Sequence, residues 1–524
     1  MRQNFNPSNP PTPPLIEAWT QAVQTAVADE RPRLLHECFV TNVEILFKRK
    51  PFPALHQAVR QIKYLPAVRN IVEREMGDDW IGLNEMMVSY LWMLEAAVPN
   101  IMTHQLPSFP QETKLFFDRL KEFMSAVNSA FNSPKGAIIA RTAMMTAKWC
   151  LLVAQSIDKM NGDNFYKTSE SLLNVILRTF NISVAERAVY NKPGQLLKKT
   201  VTIDLANYLF KLYNMTCQTK LAGTIRQNLG SVGLKLQHPL FRNPTLCTYH
   251  YFEGIEYLNK LAFGQAHVAL QASYDICHPR FLKHRRKILI PLLATSILVG
   301  RFPGPELISR PEAQGLDELF IPLCRAIQKG DFRSFRMAMG IEGPEKWKAQ
   351  WWEQHQLGRI IEHRANILIW RSLIRKIWTI TYSPVQQQQQ TPQVLKIDDI
   401  YACAAALHRK SPEDINYAEA NQLQQQPHLD PYGVCDPESW WFDGLRLTRD
   451  QVEGVVQSLL DQKMVRGYAV RKERGESTIL VLAKDDPFPN VWKLCAPKAE
   501  IQREANGGGA RVVRMQGVKE IGQN

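Results

Sequence analysis

Residues 445–489 read LRLTRDQVEGVVQSLLDQKMVRGYAVRKERGESTILVLAKDDPFP, and the predicted fold depends on them more than on any other segment. Thr448 and Gln451 have the spacing of a capping box, in which two side chains reciprocally bond backbone N–H groups at a helix start. The apolar residues that follow share one helical face, namely Val452, Val455, Val456, Leu459 and Leu460. The sequence therefore predicts a helix that begins close to Thr448.

Two short apolar runs, 465–470 and 478–483, follow this helix directly and flank a charged turn that contains Gly475. Such runs around a turn are typical of an antiparallel β-hairpin, in which we expect Val481 to be partly buried. The LRLT stretch at 445–448 predicts a further strand in front of the helix. A helix followed by a two-stranded wing forms a winged helix.

In the sequence before the winged helix, apolar residues recur with the spacing of α-helices. The alternation of apolar and polar residues that is typical of strands is almost absent between residues 15 and 238. Residues 249–278 predict a helix, a tight turn and a second helix, with small residues such as Gly254 that permit close helix approach. Residues 316–339 predict another helical hairpin, which stops at Gly330 and restarts after Asp331. The predicted fold class is an all-α helical-repeat (TPR-like) solenoid followed by a C-terminal winged helix with a small β wing.

Composition shifts divide the chain into six segments. They are a disordered Pro/Asn-rich tail (1–14), an N-terminal helical solenoid (15–243), a second helical region (244–383), a Gln-rich linker (384–393), the winged helix (394–489) and a basic, Gly-rich C-terminal tail (490–524). A chain of 524 residues is long enough for two to four domains.

Net charge and cysteine content indicate which partners and which cellular compartment the protein has. The net charge of +14 favours a polyanionic partner, such as nucleic acid, an anionic membrane or an acidic protein. Nine scattered cysteines without a CxxC pair are typical of a reducing compartment. The most apolar run, at 288–299, is too short to span a bilayer and predicts a buried helix. We expect no membrane insertion and a nuclear or cytoplasmic location.

The sequence offers little for catalysis. The chain contains no GxxxxGK[ST], HExxH, GxSxG or GxGxxG stretch, and no His-x-His that a metal-dependent peptidase of the signalosome type would need. We interpret the 12 histidines as packing or surface residues. The prediction is a protein without catalytic residues, metal or cofactor.

Nucleic-acid binding is a stronger hypothesis, and it rests on the wing. Between residues 465 and 484 the chain has five cations against two carboxylates. The cations are Arg466, Arg471, Lys472, Arg474 and Lys484. A basic turn can follow a phosphate backbone without reading bases; the alternative is a charged hairpin that is protected against edge pairing. The preceding helix exposes Asp450, Glu453, Gln457 and Asp461 on its polar face, which disfavours insertion of that helix into a major groove.

Two further sets of cations lie upstream. Lys283, Arg285, Arg286 and Lys287 come at the start of the apolar helix, where cations are mildly unfavourable. This placement suggests phosphate contact or a carboxylate partner, with a solvated loop as the alternative. Arg364, Arg371 and Arg375 share one helical stripe, and we interpret that stripe as a solvated face.

Protein assembly is the third hypothesis. Trp440, Trp441 and Phe442 precede the winged helix, and three consecutive aromatic residues cannot all face one core. We expect at least one of them to be an anchor in a partner interface.

Three segments carry a resemblance to a known family. AIQKGDF at 326–332 resembles the helical signature of the PCI-domain family, named for the proteasome lid, the signalosome and a translation initiation factor. HRRKILIPLLATSILVGRFP at 284–303 and RGYAVRKERGESTILVLAKDDPFP at 466–489 are similar to one branch of it. That branch holds the PCI subunit of transcription-export complex 2 and a signalosome-associated relative. The resemblance covers roughly residues 244–489, and DPFP at 486–489 favours the export subunit.

The resemblance implies a non-catalytic scaffold located in the nucleus and associated with the nuclear pore. Its implied partners are a larger PCI scaffold protein, a small acidic disordered subunit, and RNA or DNA. The complex would couple transcription elongation to mRNA export. The alternative is a signalosome-associated subunit that acts in protein modification or splicing.

Overall fold

The computed structural model describes residues 14–61, 65–97, 110–162, 166–188, 195–231, 241–382, 393–408, 447–471, 478–505 and 519–520. The chain forms two compact units, Met1–Phe252 and Glu253–Asn524. Residues 1–13 of the predicted disordered tail and 384–392 of the predicted linker lie outside the described residues, as do Gly475 and the aromatic run at 440–442.

The first unit is built from helices that follow one another with short connections. They are α1 (Pro14–Ala28), α2 (Pro32–Cys38), α3 (Val43–Leu46), α4 (Phe52–Gln61), α5 (Leu65–Met76), α6 (Ile81–Glu95), α7 (Pro110–Asn132), α8 (Ala140–Met160), α9 (Lys167–Glu170), α10 (Leu173–Val184), α11 (Thr202–Met215), α12 (Ala222–Ser231) and α13 (Asn243–Asn259), which continues into the second unit. Short 3-10 turns at Pro134–Ile139, Lys198–Val201 and Thr219–Leu221 precede α8, α11 and α12.

Aromatic packing joins the first helices of this unit. Trp19 stacks on Tyr90 with ring centroids 5.7 Å apart, and Phe39 meets both rings edge-on. The Tyr90 hydroxyl is fully buried and donates to the Val40 carbonyl at 2.9 Å, while Trp19 Nε1 donates to the Cys38 carbonyl at 3.0 Å. These bonds satisfy the polar atoms that aromatic burial takes from water.

One helical segment here, Pro134–Met160, is long and apolar enough to cross a membrane by length and composition. Most of its apolar stretch is buried inside the protein, and core helices of soluble proteins have the same composition.

The second unit continues the helical array and adds a sheet. Its elements are α14 (Phe263–Ile276), α15 (Leu282–Leu298), β1 (Arg301–Phe302), α16 (Pro305–Ile308), a 3-10 turn (Pro311–Ala313), α17 (Asp317–Lys329), α18 (Phe332–Met339), α19 (Trp347–Gln354), α20 (Gly358–Thr381), β2 (Gln393–Lys396), α21 (Ile397–His408), α22 (Arg449–Asp461), β3 (Gly467–Val470), β4 (Ile479–Leu482), α23 (Val491–Cys495), α24 (Lys498–Ala505) and β5 (Lys519–Glu520).

Both predicted helical hairpins are confirmed. Gly254 of α13 lies so close to α14 that a Cβ there would be 2.5 Å from Leu270 Cγ. Between α17 and α18, Gly330 takes the left-handed conformation (φ +68°) that glycine adopts most readily. Asp331 then caps α18 by accepting from the Ser334 N–H at 3.1 Å. The predicted buried helix is α15, whose residues from Ile288 onward are buried.

The winged helix is confirmed as well. Thr448 and Gln451 form both bonds of the capping box at the start of α22. β3 and β4 pair antiparallel, with Tyr468 opposite Val481, and the exposed fraction of Val481 is 9%. The prediction of a wing hairpin is therefore confirmed, and Val481, which we expected to be partly buried, is almost fully buried.

The predicted strand at 445–448 is wrong for the residues that are described, since Leu447 and Thr448 are not in a strand and Thr448 caps α22. The third strand is β2, which pairs antiparallel with the other side of β4 and gives the order β2-β4-β3. β4 therefore has a partner on each side. Gln393, which the sequence assigns to the linker, is the first residue of β2.

The predicted C-terminal tail also needs correction. Residues 491–495 and 498–505 form α23 and α24, and Val491 and Trp492 are buried. Trp492 meets the buried His267 ring edge-on at 5.1 Å, and Arg301 lies 3.9 Å above the Trp492 ring. The domain therefore continues past residue 489. With these boundary changes, the predicted fold class of a helical array followed by a winged helix is confirmed.

Candidate nucleic-acid and partner interfaces

The described wing cations lie at the surface. Arg466, Arg471 and Lys484 are exposed, whereas Lys472 and Arg474 lie outside the described residues. Each exposed cation is at or next to the end of a wing strand, so that the hairpin itself sets its position. The structure therefore leaves the described wing cations accessible to solvent.

Backbone hydrogen bonds hold Arg466 on both sides. Its N–H donates to the Pro487 carbonyl at 2.8 Å, and its own carbonyl accepts from the Ala483 N–H at 2.9 Å. Its guanidinium lies 3.2 Å from the Asp486 carboxylate, and both side chains are about half exposed. Exposed ion pairs of this kind contribute little, so a phosphate can compete with Asp486 for Arg466.

The polar face of α22 is acidic beside this wing. Asp450, Gln457 and Asp461 are exposed, and Gln457 donates to Asp461 at 3.0 Å. Glu453 is half-buried and accepts from the Thr478 hydroxyl at 3.1 Å, a contact that joins α22 to the start of β4. Carboxylates on this face would repel phosphates, which disfavours docking of α22 in a DNA groove.

Arg285 is not a nucleic-acid contact, and that prediction is corrected. Its side chain is buried, its Nε donates to Glu312 Oε1 at 2.9 Å, and its Nη1 donates to the Cys277 carbonyl at 2.6 Å. Its guanidinium also lies 4.0 Å above the Tyr274 ring, whose hydroxyl donates to the same Glu312 oxygen at 2.6 Å. Of the alternatives that the sequence left open for this cation at a helix start, the carboxylate partner is the one that the structure shows for Arg285.

The electrostatics of the Arg285–Glu312 pair favour the charged forms. Burial opposes ionisation of Glu312, but hydrogen bonds from Tyr274 and Arg285 outweigh it and hold the pKa of that carboxyl below its usual value. Burial likewise opposes the charge of Arg285, and the bond to Glu312 outweighs it and raises the pKa of Arg285. Both groups are therefore charged at neutral pH.

The other three cations of this cluster divide into two kinds. Arg286 is half-buried, and its Nη1 donates to the carbonyls of Glu312 at 3.1 Å and Gln314 at 2.7 Å. Lys283 and Lys287 are exposed. The cluster thus offers two exposed ammonium groups where the sequence predicted four cations.

The Arg364–Arg371–Arg375 stripe is not a solvated face, which corrects the interpretation of α20. Arg371 has no exposed surface; its Nε donates to the Met464 carbonyl at 3.2 Å, and its Nη2 donates to those of Phe488 at 3.1 Å and Pro489 at 2.8 Å. Burial, together with the nearby Arg375 charge, lowers the pKa of Arg371 to about 10. Arg371 stays protonated at neutral pH and holds the base of the wing.

A surface cavity of about 810 Å³ lies beside Arg364. Arg364 Nη1 donates to Gln462 Oε1 at 2.7 Å, and the guanidinium lies 5.7 Å from the Phe263 ring centroid. The exposed Arg359 and His363 line the same cavity. Apolar lining comes from Leu261, Phe263, Ile360, Ile367 and Pro497, and none of the described lining residues is Asp or Glu. The cavity is therefore apolar in its lining and cationic in its charge.

Trp440, Trp441 and Phe442 lie outside the described residues, so their role as partner anchors stays a prediction. Within the part of the chain that the structure describes, no group of three or more His, Cys, Asp and Glu side chains could hold a metal ion. His267 is a packing residue: it is buried beside Ser296 Oγ at 3.2 Å, and burial lowers its pKa to about 3.

Comparison with known proteins gives related chains along most of the sequence. A PCI domain-containing protein of Schizosaccharomyces pombe is 25% identical over 489 residues, which is 90% of this chain and 94% of that protein. The CSN12 homolog of the same yeast is 25% identical over 343 residues, 62% of this chain and 75% of that protein. PCI domain-containing protein 2 of Danio rerio is 23% identical over 249 residues, 46% of this chain and 55% of that protein. No model of a known protein family matches the chain.

These similarities extend well beyond residues 244–489, to which the predicted resemblance was confined, because one alignment covers 90% of the chain. The helical array, the hairpin at Gly330 and the winged helix with its β2-β4-β3 sheet are the structure that the resemblance implied. The fold and the relatives both support the resemblance to the PCI-domain family.

Proposed function

We propose that this protein is a non-catalytic scaffold subunit of a nuclear mRNA-export complex that couples transcription to export at the nuclear pore. The observation that carries the proposal is the winged helix at the end of a helical array, with exposed wing cations and relatives named as PCI domain-containing proteins. A winged helix offers a strand edge and a helix face on which a larger PCI protein can pair.

A small acidic subunit is the second proposed partner. The cavity beside Arg364 is lined by cations and apolar side chains, so its charge and chemistry suit an acidic peptide with apolar anchors. Arg359 and His363 are exposed at this cavity and are the side chains that carboxylates would meet first.

An alternative function is favoured by a separate observation. A CSN12 homolog is 25% identical over 62% of this chain. The protein would then be a signalosome-associated PCI subunit that acts in protein modification or splicing, with the same fold and a different set of partners.

Purification of the endogenous protein under mild conditions is expected to recover a larger PCI protein and a small acidic chain at stoichiometric amounts. The Arg359→Glu/His363→Glu variant is expected to lose the acidic chain selectively, because it reverses the charge of the cavity. Lys346→Glu, an exposed charge change at α19, is the control. Recovery of signalosome subunits would favour the alternative, and recovery of neither set would refute both assignments.

The proposed nucleic-acid role is electrostatic. Five cations at residues 466–484 exceed two carboxylates in the same stretch, whereas the neighbouring face of α22 is acidic. Contacts from cations at strand ends and in a turn fall on phosphates, which carry no sequence information. We therefore propose sequence-independent binding of RNA or DNA.

If about five phosphates are neutralised, log affinity should fall against log salt with a slope of roughly −3.5 for single strands or −4.5 for duplex. Arg471→Glu/Lys484→Glu should weaken binding equally for unrelated sequences and flatten the slope by roughly 0.7 to 0.9 per lost contact. Fluorescence anisotropy over a salt series measures both.

Two matched variants complete the experiment. Lys346→Glu should leave the slope unchanged, and Lys283→Glu/Lys287→Glu measures what the exposed lysines of α15 add. An Arg471→Glu/Lys484→Glu variant with the wild-type slope would contradict nucleic-acid binding by the wing.

A further inference from the structure

The three-stranded sheet of the winged helix has two different faces. Because side chains alternate along a strand, Leu395, Leu480 and Leu482 point to one face, and all three are buried. The opposite face, which we name the outer face, contains the even-numbered residues of β2 and β3 and the odd-numbered residues of β4. One row across it joins Val394, Val481 and Tyr468 by strand register.

Tyr468 is the most exposed large hydrophobic side chain of this outer face. Its exposed fraction is 61%, and that of Val470, two residues further along the same strand, is 36%. Val481, opposite Tyr468, is only 9% exposed. β3 is an edge strand of the sheet, and Tyr468 and Val470 on it are the exposed apolar residues of the outer face.

Two cations share the outer face with this ring. Arg466 precedes Tyr468 by two residues and therefore lies on the same face, and Lys396 is an exposed outer-face residue of β2. An exposed aromatic ring with cations on the same surface is an arrangement with which proteins bind single strands, because bases stack on the ring while phosphates contact the charges.

Unpaired bases suit this surface better than a duplex does. A ring on an open sheet face can stack only on a base whose own face is uncovered, and in a duplex the neighbouring base pairs cover each base. The acidic polar face of α22 also disfavours groove docking next to the sheet. The positive charge of the surface and its exposed aromatic ring therefore both favour a single-stranded nucleic acid as the ligand.

We propose that the outer face of the wing sheet binds single-stranded nucleic acid, with Tyr468 stacking on a base and Arg466 and Lys396 contacting phosphates. The inference rests on the proposed nucleic-acid role of the wing and specifies its ligand class. It predicts a contribution from the tyrosine ring that charge alone does not supply.

The test compares full-length variants on a labelled 20-nucleotide oligo-U, an oligo-dT of equal length and a duplex of equal length. Tyr468→Leu keeps an apolar cover over Val481 but removes the ring, and it should weaken single-strand binding by about five- to a hundredfold. Tyr468→Phe should retain single-strand affinity, and duplex affinity should change less than about twofold for either variant. Trp347→Ala, an exposed aromatic residue of α19, is the matched control and should have no effect.

Three outcomes separate this inference from the proposed function. Wild-type affinity of Tyr468→Leu for the single strands, with a normal salt slope, would overturn the stacking site and leave electrostatic binding intact. A wild-type protein without salt-dependent binding to any of the three probes would overturn the nucleic-acid role itself. Loss of the PCI partner by Tyr468→Leu with unchanged oligonucleotide binding would make the outer face a protein interface and also refute the inference. Unchanged thermal unfolding of the variants confirms that each is folded.

Discussion

Replacement of Arg371 by methionine is expected to lower the free energy of unfolding of the second unit by about 3 kcal/mol. The guanidinium donates to three backbone carbonyls, of Met464, Phe488 and Pro489, at 2.8 to 3.2 Å in a fully buried site. Methionine fills much of the space but leaves these acceptors without donors. Each bond from a charged donor contributes roughly 1.5 to 3 kcal/mol, and relief from burying the charge offsets part of the sum.

The three acceptors explain where the effect should appear. Met464 lies just before β3, and Phe488 and Pro489 follow β4, so a single side chain of α20 fixes both ends of the wing. We expect hydrogen exchange in β3 and β4 to accelerate more than exchange in the helices of the first unit. Denaturant unfolding and peptide-resolved hydrogen exchange measure the two effects.

Lys376→Met is the control for Arg371→Met, because Lys376 is an exposed cation on the same helix. It should change stability by less than about 0.5 kcal/mol. Arg371→Lys keeps the charge but offers a single ammonium to three carbonyls, so its stability should lie between methionine and wild type. Equal stability of Arg371→Met and wild type would show that the wing is anchored by other contacts.

Glu312→Gln is expected to destabilise the protein by about 3 to 5 kcal/mol, because it leaves the buried Arg285 charge without a carboxylate. Arg285 Nε lies 2.9 Å from Glu312 Oε1, and the exposed fractions of the two side chains are 9% and 5%. The Arg285→Met/Glu312→Leu double variant removes both charges at similar volume and should recover most of the loss. Denaturant unfolding of the wild type, Arg285→Met, Glu312→Leu and the double variant completes the cycle.

The same pair predicts a dependence of stability on pH. The pKa of Glu312 is lower in the folded protein than its ordinary value of 4.5, so its contribution to stability is present above pH 4.5 and is lost as the pH falls through the folded pKa. The pKa of Arg285 is raised above its ordinary value, so this group stays charged throughout that window. The stability difference between wild type and Glu312→Gln should therefore shrink below pH 4.5.

Glu318→Gln is the control for the carboxylate, since Glu318 is exposed in the first turn of α17. It should leave both the stability at neutral pH and its acid dependence close to those of the wild type. A Glu312→Gln variant as stable as wild type, or a double variant less stable than Glu312→Gln, would contradict a compensated buried pair.

Elements that depend on neighbouring residues can be predicted from the sequence of this protein. The capping box at Thr448, the stop at Gly330, the cap at Asp331 and the wing hairpin each depend on residues within a few positions of one another. Local rules of this kind also gave the correct fold class, because a long helical array followed by a helix and a hairpin has few arrangements.

The contacts that those elements make cannot be predicted in the same way, because they depend on the fold. The helical spacing of the sequence shows that Arg364, Arg371 and Arg375 share one face of a helix. The spacing does not show whether that face contacts solvent or, as for Arg371, backbone carbonyls about a hundred residues away. Arg285 was assigned to phosphate or to a carboxylate, and the choice of Glu312 required the fold. β2 was missed because four residues after a Gln-rich stretch carry little signal, and pairing with β4 supplies most of their stability as a strand. Local propensity defines helices and turns, whereas the partner of a buried charge or of a short strand is set by contacts between distant parts of the chain.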